Sequence, residues 1–233
     1  MLKKNRQILK SIITISALFI GSTVYALEPF RAIYLVDYNG KQLGTATSTL
    51  KNINNEWNYS FTATSSEFIH ASAQSKFTQN NTSIQSEFFN RNTKLFFFNT
   101  QNSITFDVSK KMIFTQDNKA SYAYPLEKNV LDELNIELQI REDLKNQQLK
   151  NEYLVAGMKK TKMLQITPEG LENITTPIGT YETLKISMTH DDSNRQTTFW
   201  LAPVLNYLPV KALHIDKNFS YSILLNEYQN SKK

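Results

Sequence analysis

Residues Thr176–Lys211 read TPIGTYETLKISMTH, then DDSNRQ, then TTFWLAPVLNYLPVK. Three strand-like runs are packed into this stretch: Glu182–Met188, Gln196–Leu201 and the start of Leu208–Ile215. Their β-branched and aromatic residues suit a pleated, half-buried surface. Proline presets φ and glycine tolerates positive φ, so Pro177-Ile178-Gly179 reads as a turn. The stretch describes how the chain is built and names no reaction.

The same grammar extends in both directions. Upstream, Phe30–Tyr38 and Gly44–Leu50 flank Asn39-Gly40, a strong short hairpin signal. Trp57, Tyr59, Phe61 and Ala63 alternate with Asn58, Ser60 and Thr62, which predicts a strand with one dry and one wet face. Ala71–Thr78 and Ser83–Phe89 follow, and Leu95–Phe98 reads as a strand buried on both faces. Ser103–Val108 and Met112–Thr115 form a hairpin across Ser109-Lys110-Lys111. Towards the C-terminus, Glu152–Lys159, Lys162–Thr167 and Phe219–Glu227 also have strand composition, with Pro168-Glu169-Gly170 as a turn.

The period changes once. Over NVLDELNIELQIREDL, residues 129–144, the apolar positions follow a helical repeat and cover more than half the circumference. Asn129 is placed to cap, Asp132 and Glu133 suit the first turn, and Glu137 and Arg141 are spaced i,i+4 to pair. A face this wide needs cover on more than one side. The expected fold is mainly β: a single-domain, strongly curved or partly closed antiparallel β-barrel with one helix, about 130–144, on its concave side. A two-sheet sandwich is the competing arrangement.

The N-terminus has a separate role. MLKKNRQILK carries four basic residues and no acid; SIITISALFI is apolar, and Val24 and Ala26 are small. A basic, apolar and small-residue series of this kind is a signal peptide, here residues 1–26, cleaved to leave one β-rich domain, 27–233. The apolar core is shorter than the roughly 20 residues that span a bilayer, so no stable membrane anchor is expected after cleavage. Removing those four residues from 26 Lys+Arg leaves 22 against 21 Asp+Glu. The sequence pI near 9.2 is thus largely a property of the leader, and nothing in the mature charge argues for nucleic acid. There is no cysteine, which rules out a lipobox anchor and favours a bacterial periplasmic protein, with secretion as the alternative.

Thr176-Pro177-Ile178-Gly179-Thr180-Tyr181, Trp200-Leu201-Ala202-Pro203 and Leu208-Pro209-Val210, with PFRAIYLVDYNGKQLG near the start, resemble the exported bacterial family catalogued as domain of unknown function 3108. The resemblance covers nearly the whole mature chain. It implies an envelope location and a β-rich, open-barrel-like fold, and it brings no established activity and no catalytic residues.

Chemistry is sparse. His70, His190 and His214 have no partner at helical spacing, and His190-Asp191-Asp192 reads as a solvated loop, so no metal and no cofactor is expected. There is no nucleophile elbow, phosphate loop or dinucleotide glycine motif. What remains is aromatic surface, from fourteen Phe and eleven Tyr concentrated in strands. It reads either as ordinary core or as an apolar pocket. The second reading nominates Trp57, Tyr59, Phe61, Phe88, Phe96, Phe98 and Trp200 as ligand-binding residues. It makes the protein a non-catalytic binding or carrier module for a lipid, acyl chain or hydrophobic peptide. The alternatives are an envelope interaction protein acting through its sheet edges and, ranked last, a hydrolase.

Overall fold

The structure is a computed structural model and describes residues 27–66, 69–95, 98–190, 195–216 and 219–230; the expected signal peptide lies outside them. The strands are β1 (Phe30–Tyr38), β2 (Lys41–Ile53), β3 (Glu56–Ser66), β4 (Ile69–Asn80), β5 (Ser83–Leu95), β6 (Phe98–Asp107), β7 (Met112–Asp117), β8 (Ser121–Pro125) and β9 (Val130–Leu131). After helix α1 (Asn135–Lys145) come β10 (Glu152–Ala156), β11 (Thr161–Thr176), β12 (Gly179–His190), β13 (Gln196–Ala202), a 3-10 turn (Pro203–Leu205), β14 (Leu208–Asp216) and β15 (Phe219–Asn230).

All fifteen strands form one sheet, in the order β8-β7-β6-β5-β4-β3-β2-β1-β15-β14-β13-β12-β11-β10-β9. Two meanders are therefore sewn together where β1 pairs with β15; residues 126–129 carry the chain from the β8 end to the β9 end, and α1 links β9 to its parallel neighbour β10. Every ladder is antiparallel except β9 with β10. The fold is mainly β with one helix, as expected, and the sandwich alternative does not occur. The sheet stays open, because β8 and β9 do not pair. Its two ends are instead brought together by side chains: Thr115 Oγ1 donates to Met158 O at 2.5 Å and Tyr124 OH to Gly157 O at 2.5 Å.

The alternation in β3 holds. Trp57 and Tyr59 are buried, and Asn58 and Ser60 are half-exposed. They face a core built of Phe30, Leu50, Phe77, Ile84, Leu164, Ile186, Leu201 and Leu208, with Ile136, Leu138 and Ile140 of α1. A smaller cluster, including Phe89, Ile104, Phe106, Ile113, Tyr124 and Val130, fills the end under β5–β8. At Asn39-Gly40, φ is +48° and +80°, the pattern of a two-residue turn whose twist matches its strands.

Three expectations are corrected. The helix starts at Asn135, not Val130, because Val130 and Leu131 pair with Leu154 and Val155. Asn129 does not cap: the Asp132 carboxylate accepts from the backbone of Leu134 and Asn135, both at 2.9 Å. A short side chain that bonds its own following backbone competes with helix at that point. Pro168-Glu169-Gly170 is a bulge inside β11, not a turn. Pro168 sits opposite Ile186 and Gly170 opposite Lys185, leaving Glu169 as the extra residue, and Gly170 adopts φ +104°. The strand expected over Leu95–Phe98 falls on residues 96 and 97, which lie outside the described residues; β5 ends at Leu95 and β6 begins at Phe98, and those two residues pair.

Candidate ligand-binding site

Eight of the eleven α1 residues are buried, and five of those are polar: Asn135, Gln139, Arg141, Glu142 and Asp143. Each reaches the sheet or a neighbour. Tyr59 OH donates to Glu137, which also binds Arg141 at 3.1 Å as its i,i+4 spacing predicts. Arg141 donates to Asn206 O at 3.2 Å, and its guanidinium lies 4.9 Å from the Phe30 ring centre. Gln139 donates to Thr82 O and accepts from the Ile84 amide, and Asp143 accepts from Tyr153 OH at 2.7 Å. At the start of the helix, Ser75 and Asn135 donate to Asp132, both at 2.7 Å, and Ser86 accepts from the Asp132 amide. These contacts fix the helix in one position, since a buried polar group without a partner costs about 1–3 kcal/mol.

Burial raises the Asp132 carboxyl to about 6, against the hydrogen bonds that lower it. It also lifts the Tyr34 and Tyr59 phenols far above their ordinary range, with the Glu137 charge adding to the effect. The Ser75–Asp132 pair has no solvent exposure and no histidine between its members. Among the described residues, no three of His, Asp and Glu gather as a metal site. His70 contacts Thr64 at 3.4 Å, and His214 contacts Thr197 at 2.9 Å. Asp191 and Asp192 lie outside the described residues.

The nominated aromatic residues do not assemble into one pocket. Trp57, Tyr59 and Trp200 are buried at 9%, 3% and 5% exposure. Trp57 stacks on Phe77, and Trp200 Nε1 donates to Glu172 at 2.9 Å. Phe88 is half-buried on the outer face, opposite Lys76. Phe96 and the side chain of Phe98 lie outside the described residues. Phe61 is the exception: it is half-buried and points to the inner face.

That position marks the part of the inner face that α1 leaves less covered. Phe61 and Ala73 are in register, as are Ala46, Ala63 and Ala71, so small side chains pave β2–β4 here. Across from them Val36 pairs with Ile223 and Ala212 with Phe199; Val36, Phe61, Phe199 and Ile223 are only partly buried. Tyr38 and Tyr221, paired across β1 and β15, stand at the rim with 43% and 42% exposure. The His214 ring stacks on Tyr221 at 4.9 Å. Arg91 and Glu133 form an ion pair on the opposite side. Desolvation first, and the Glu133 carboxylate second, hold the Tyr221 phenol above its usual range; Arg91, the ion-pair partner of Glu133, is in register with Ala73. The arrangement is a partly covered apolar stretch of the inner face, made of alanines and aromatic side chains with an ion pair in register beside it. Periodicity marked Phe61 as inward-facing; the alanine register and the Arg91–Glu133 pair depend on strand pairings that no local pattern specifies.

A hollow of about 700 Å³ lies on the outer face, lined by Thr49, Lys51, Glu56, Asn58, Ser60, Gln74 and Lys76. Lys76 and Glu56 pair there at 3.1 Å, and the lining is that of a wet sheet face.

One open, almost wholly antiparallel sheet with a helix on its inner face defines a β-barrel-like protein. The chain belongs to the family described as "Protein of unknown function (DUF3108)", whose model matches residues 33–218. It is similar in fold to a solved β-barrel-like protein of the domain of unknown function DUF1849 from Brucella abortus. The TM-score is 0.57 at 10% identity, over 88% of this chain and 99% of the other. No protein in the curated set matches the chain.

Proposed function

We propose that the protein is a non-catalytic binding or carrier module of the bacterial periplasm, exported by a cleaved signal peptide, that takes an apolar ligand at the open end of its inner face. The ligand class is a lipid acyl chain or a hydrophobic peptide. The observation that carries this reading is the partly buried set Val36, Phe61, Phe199 and Ile223 beside the alanines of β3 and β4. Covering about 200 Å² of such surface is worth about 5 kcal/mol at 25 cal/mol per Å², before the ordering costs of binding. That suits reversible loading better than permanent capture.

The interaction-protein alternative gains less support. Strand addition needs a free edge, and the outermost strands are five and two residues long, with their end of the sheet bridged through Thr115 and Tyr124. The hydrolase reading has only a sealed serine–carboxylate pair behind it.

The test is native mass spectrometry of the mature protein purified from its own periplasm, followed by organic extraction. A stoichiometric lipid-sized or peptide-sized adduct is the expected result and names the cargo. An apo mass together with no uptake of fluorescent fatty acids or hydrophobic peptides would overturn the proposal.

A further inference from the structure

The hairpin end that carries the Thr176–Tyr181 motif has a second use. In the sheet, β11 is separated from β1 by four strands, yet Asn173, Ile174 and Thr175 of β11 share one cleft of about 430 Å³ with Leu35 and Asp37 of β1, Lys211 of β14 and Ser222 and Leu224 of β15. The far end of the β11–β12 hairpin must therefore fold across the outer face of β13 and β14. Trp200 lies beneath it, tied by its indole N–H to Glu172 at 2.9 Å. Thr176 closes the hairpin tip, donating to Gly179 O at 3.0 Å and accepting from the Ile178 amide at 3.2 Å.

The charged groups at this overhang differ in their partners. Lys185 is paired with Glu169 at 2.9 Å, and Asp37 accepts from the Gly40 amide at 2.8 Å. Lys211 lines the cleft and its ammonium sits 4.4 Å from the centre of the Trp200 ring. Among the described residues Lys211 makes no ion pair. A half-buried ammonium held by an aromatic face, with Asp37 in the same cleft but no described carboxylate within ion-pair distance, keeps its capacity for an anion. Leu35, Ile174 and Leu224 give the cleft an apolar lining next to that charge.

We infer that this cleft is a second binding site, separate from the open end, for a small anionic amphiphile whose head group meets Lys211 and whose chain lies on Leu35, Ile174 and Leu224. A carboxylate and a phosphate share the required chemistry.

The test uses the mature protein with labelled methyl groups, titrated with decanoate, with decyl phosphate and with uncharged decanol. Either anion is expected to shift the methyl signals of Leu35, Ile174 and Leu224, and the tighter of the two identifies the head group. Lys211→Met should weaken anion binding about tenfold, the scale of one partly buried charge contact, and leave decanol unchanged. Lys211→Arg, which keeps charge and ring stacking, should bind within about twofold of the native protein and guards against a folding defect in the first variant. Equal anion affinity in Lys211→Met and the native protein would overturn the inference, and so would shifts confined to Ala63 and Ala71 at the open end.

Discussion

The Ser75 hydroxyl donates a 2.7 Å hydrogen bond to the Asp132 carboxylate at a point where neither residue has any solvent exposure. It joins β4 to the segment that leads into α1. Burial raises the Asp132 carboxyl from 3.8 to about 6. Between those values the folded protein binds more protons than the unfolded chain, so stability falls as pH rises from about 4 to about 6. The contribution between pH 7.5 and pH 5 is about 1 kcal/mol in favour of the acid side. Asp132→Asn cannot titrate. Urea unfolding at the two pH values should show the native protein gaining stability relative to this variant on acidification, and an identical pH slope in both would refute the assignment.

Tyr59→Phe isolates the middle of the helix contact. The Tyr59 hydroxyl donates to Glu137 and accepts from Ser48 at 3.0 Å. Its removal leaves a buried serine hydroxyl without that partner and one fewer donor on a carboxylate. The expected cost is about 1–3 kcal/mol, seen as a Tm lowered by roughly 2–10 °C for a chain of this size. A Tm unchanged within a degree would mean that the helix is held by its apolar residues alone.

The strands and most reversals could be read from short-range pattern, because alternation and turn residues are local properties. Asn39-Gly40 and the Trp57–Ala63 alternation needed nothing beyond the chain itself. The start of α1 was misplaced because Val130 and Leu131 fit a helix equally well until β10 offers them a ladder. The same limit hid the site. Phe61 is a nominated residue on the less covered part of the inner face, but Trp57 and Tyr59 have the same alternation and are buried, Trp57 against Phe77 and Tyr59 against Glu137 of α1. Which part of a strand the helix covers depends on the β1–β15 pairing, a contact between the two ends of the domain. Trp200 stands in the motif, yet its cover is the β11–β12 hairpin folding back over β13 and β14, which no spacing encodes.

Gly44 and Gly40 separate two reasons for a glycine. A Cβ on Gly44 would meet Thr64 O at 2.2 Å and Ser65 Cα at 2.7 Å, both backbone atoms. Gly40 has open space around it but φ of +80°. Gly40→Ala should therefore cost about 1–2 kcal/mol of conformational strain, with the fold intact. Gly44→Ala forces two backbones apart and should cost more, about 3 kcal/mol, the upper range for overpacking. Denaturant midpoints of the two variants decide the order; equal midpoints would show that the β2–β3 contact can relax.

Trp57 and Phe61 are four residues apart on one face of β3, and they should respond oppositely if the open end is the ligand site. Trp57 is stacked on Phe77 with ring centres 6.2 Å apart, so Trp57→Ala should cost about 3–5 kcal/mol of stability. Phe61 is only partly buried, and Phe61→Ser should cost less, about 1–2 kcal/mol. In binding the ranking reverses. Losing the Phe61 ring removes apolar contact from that stretch of the inner face and should weaken uptake of a fluorescent fatty acid about tenfold. Measured below its unfolding temperature, the remaining folded Trp57→Ala protein should bind within about threefold of native, since Trp57 is buried against Phe77 and not among the partly covered residues. A Phe61→Ser protein that takes up the probe as well as the native one would place the ligand elsewhere, and the cleft beside Lys211 would be the next site to examine.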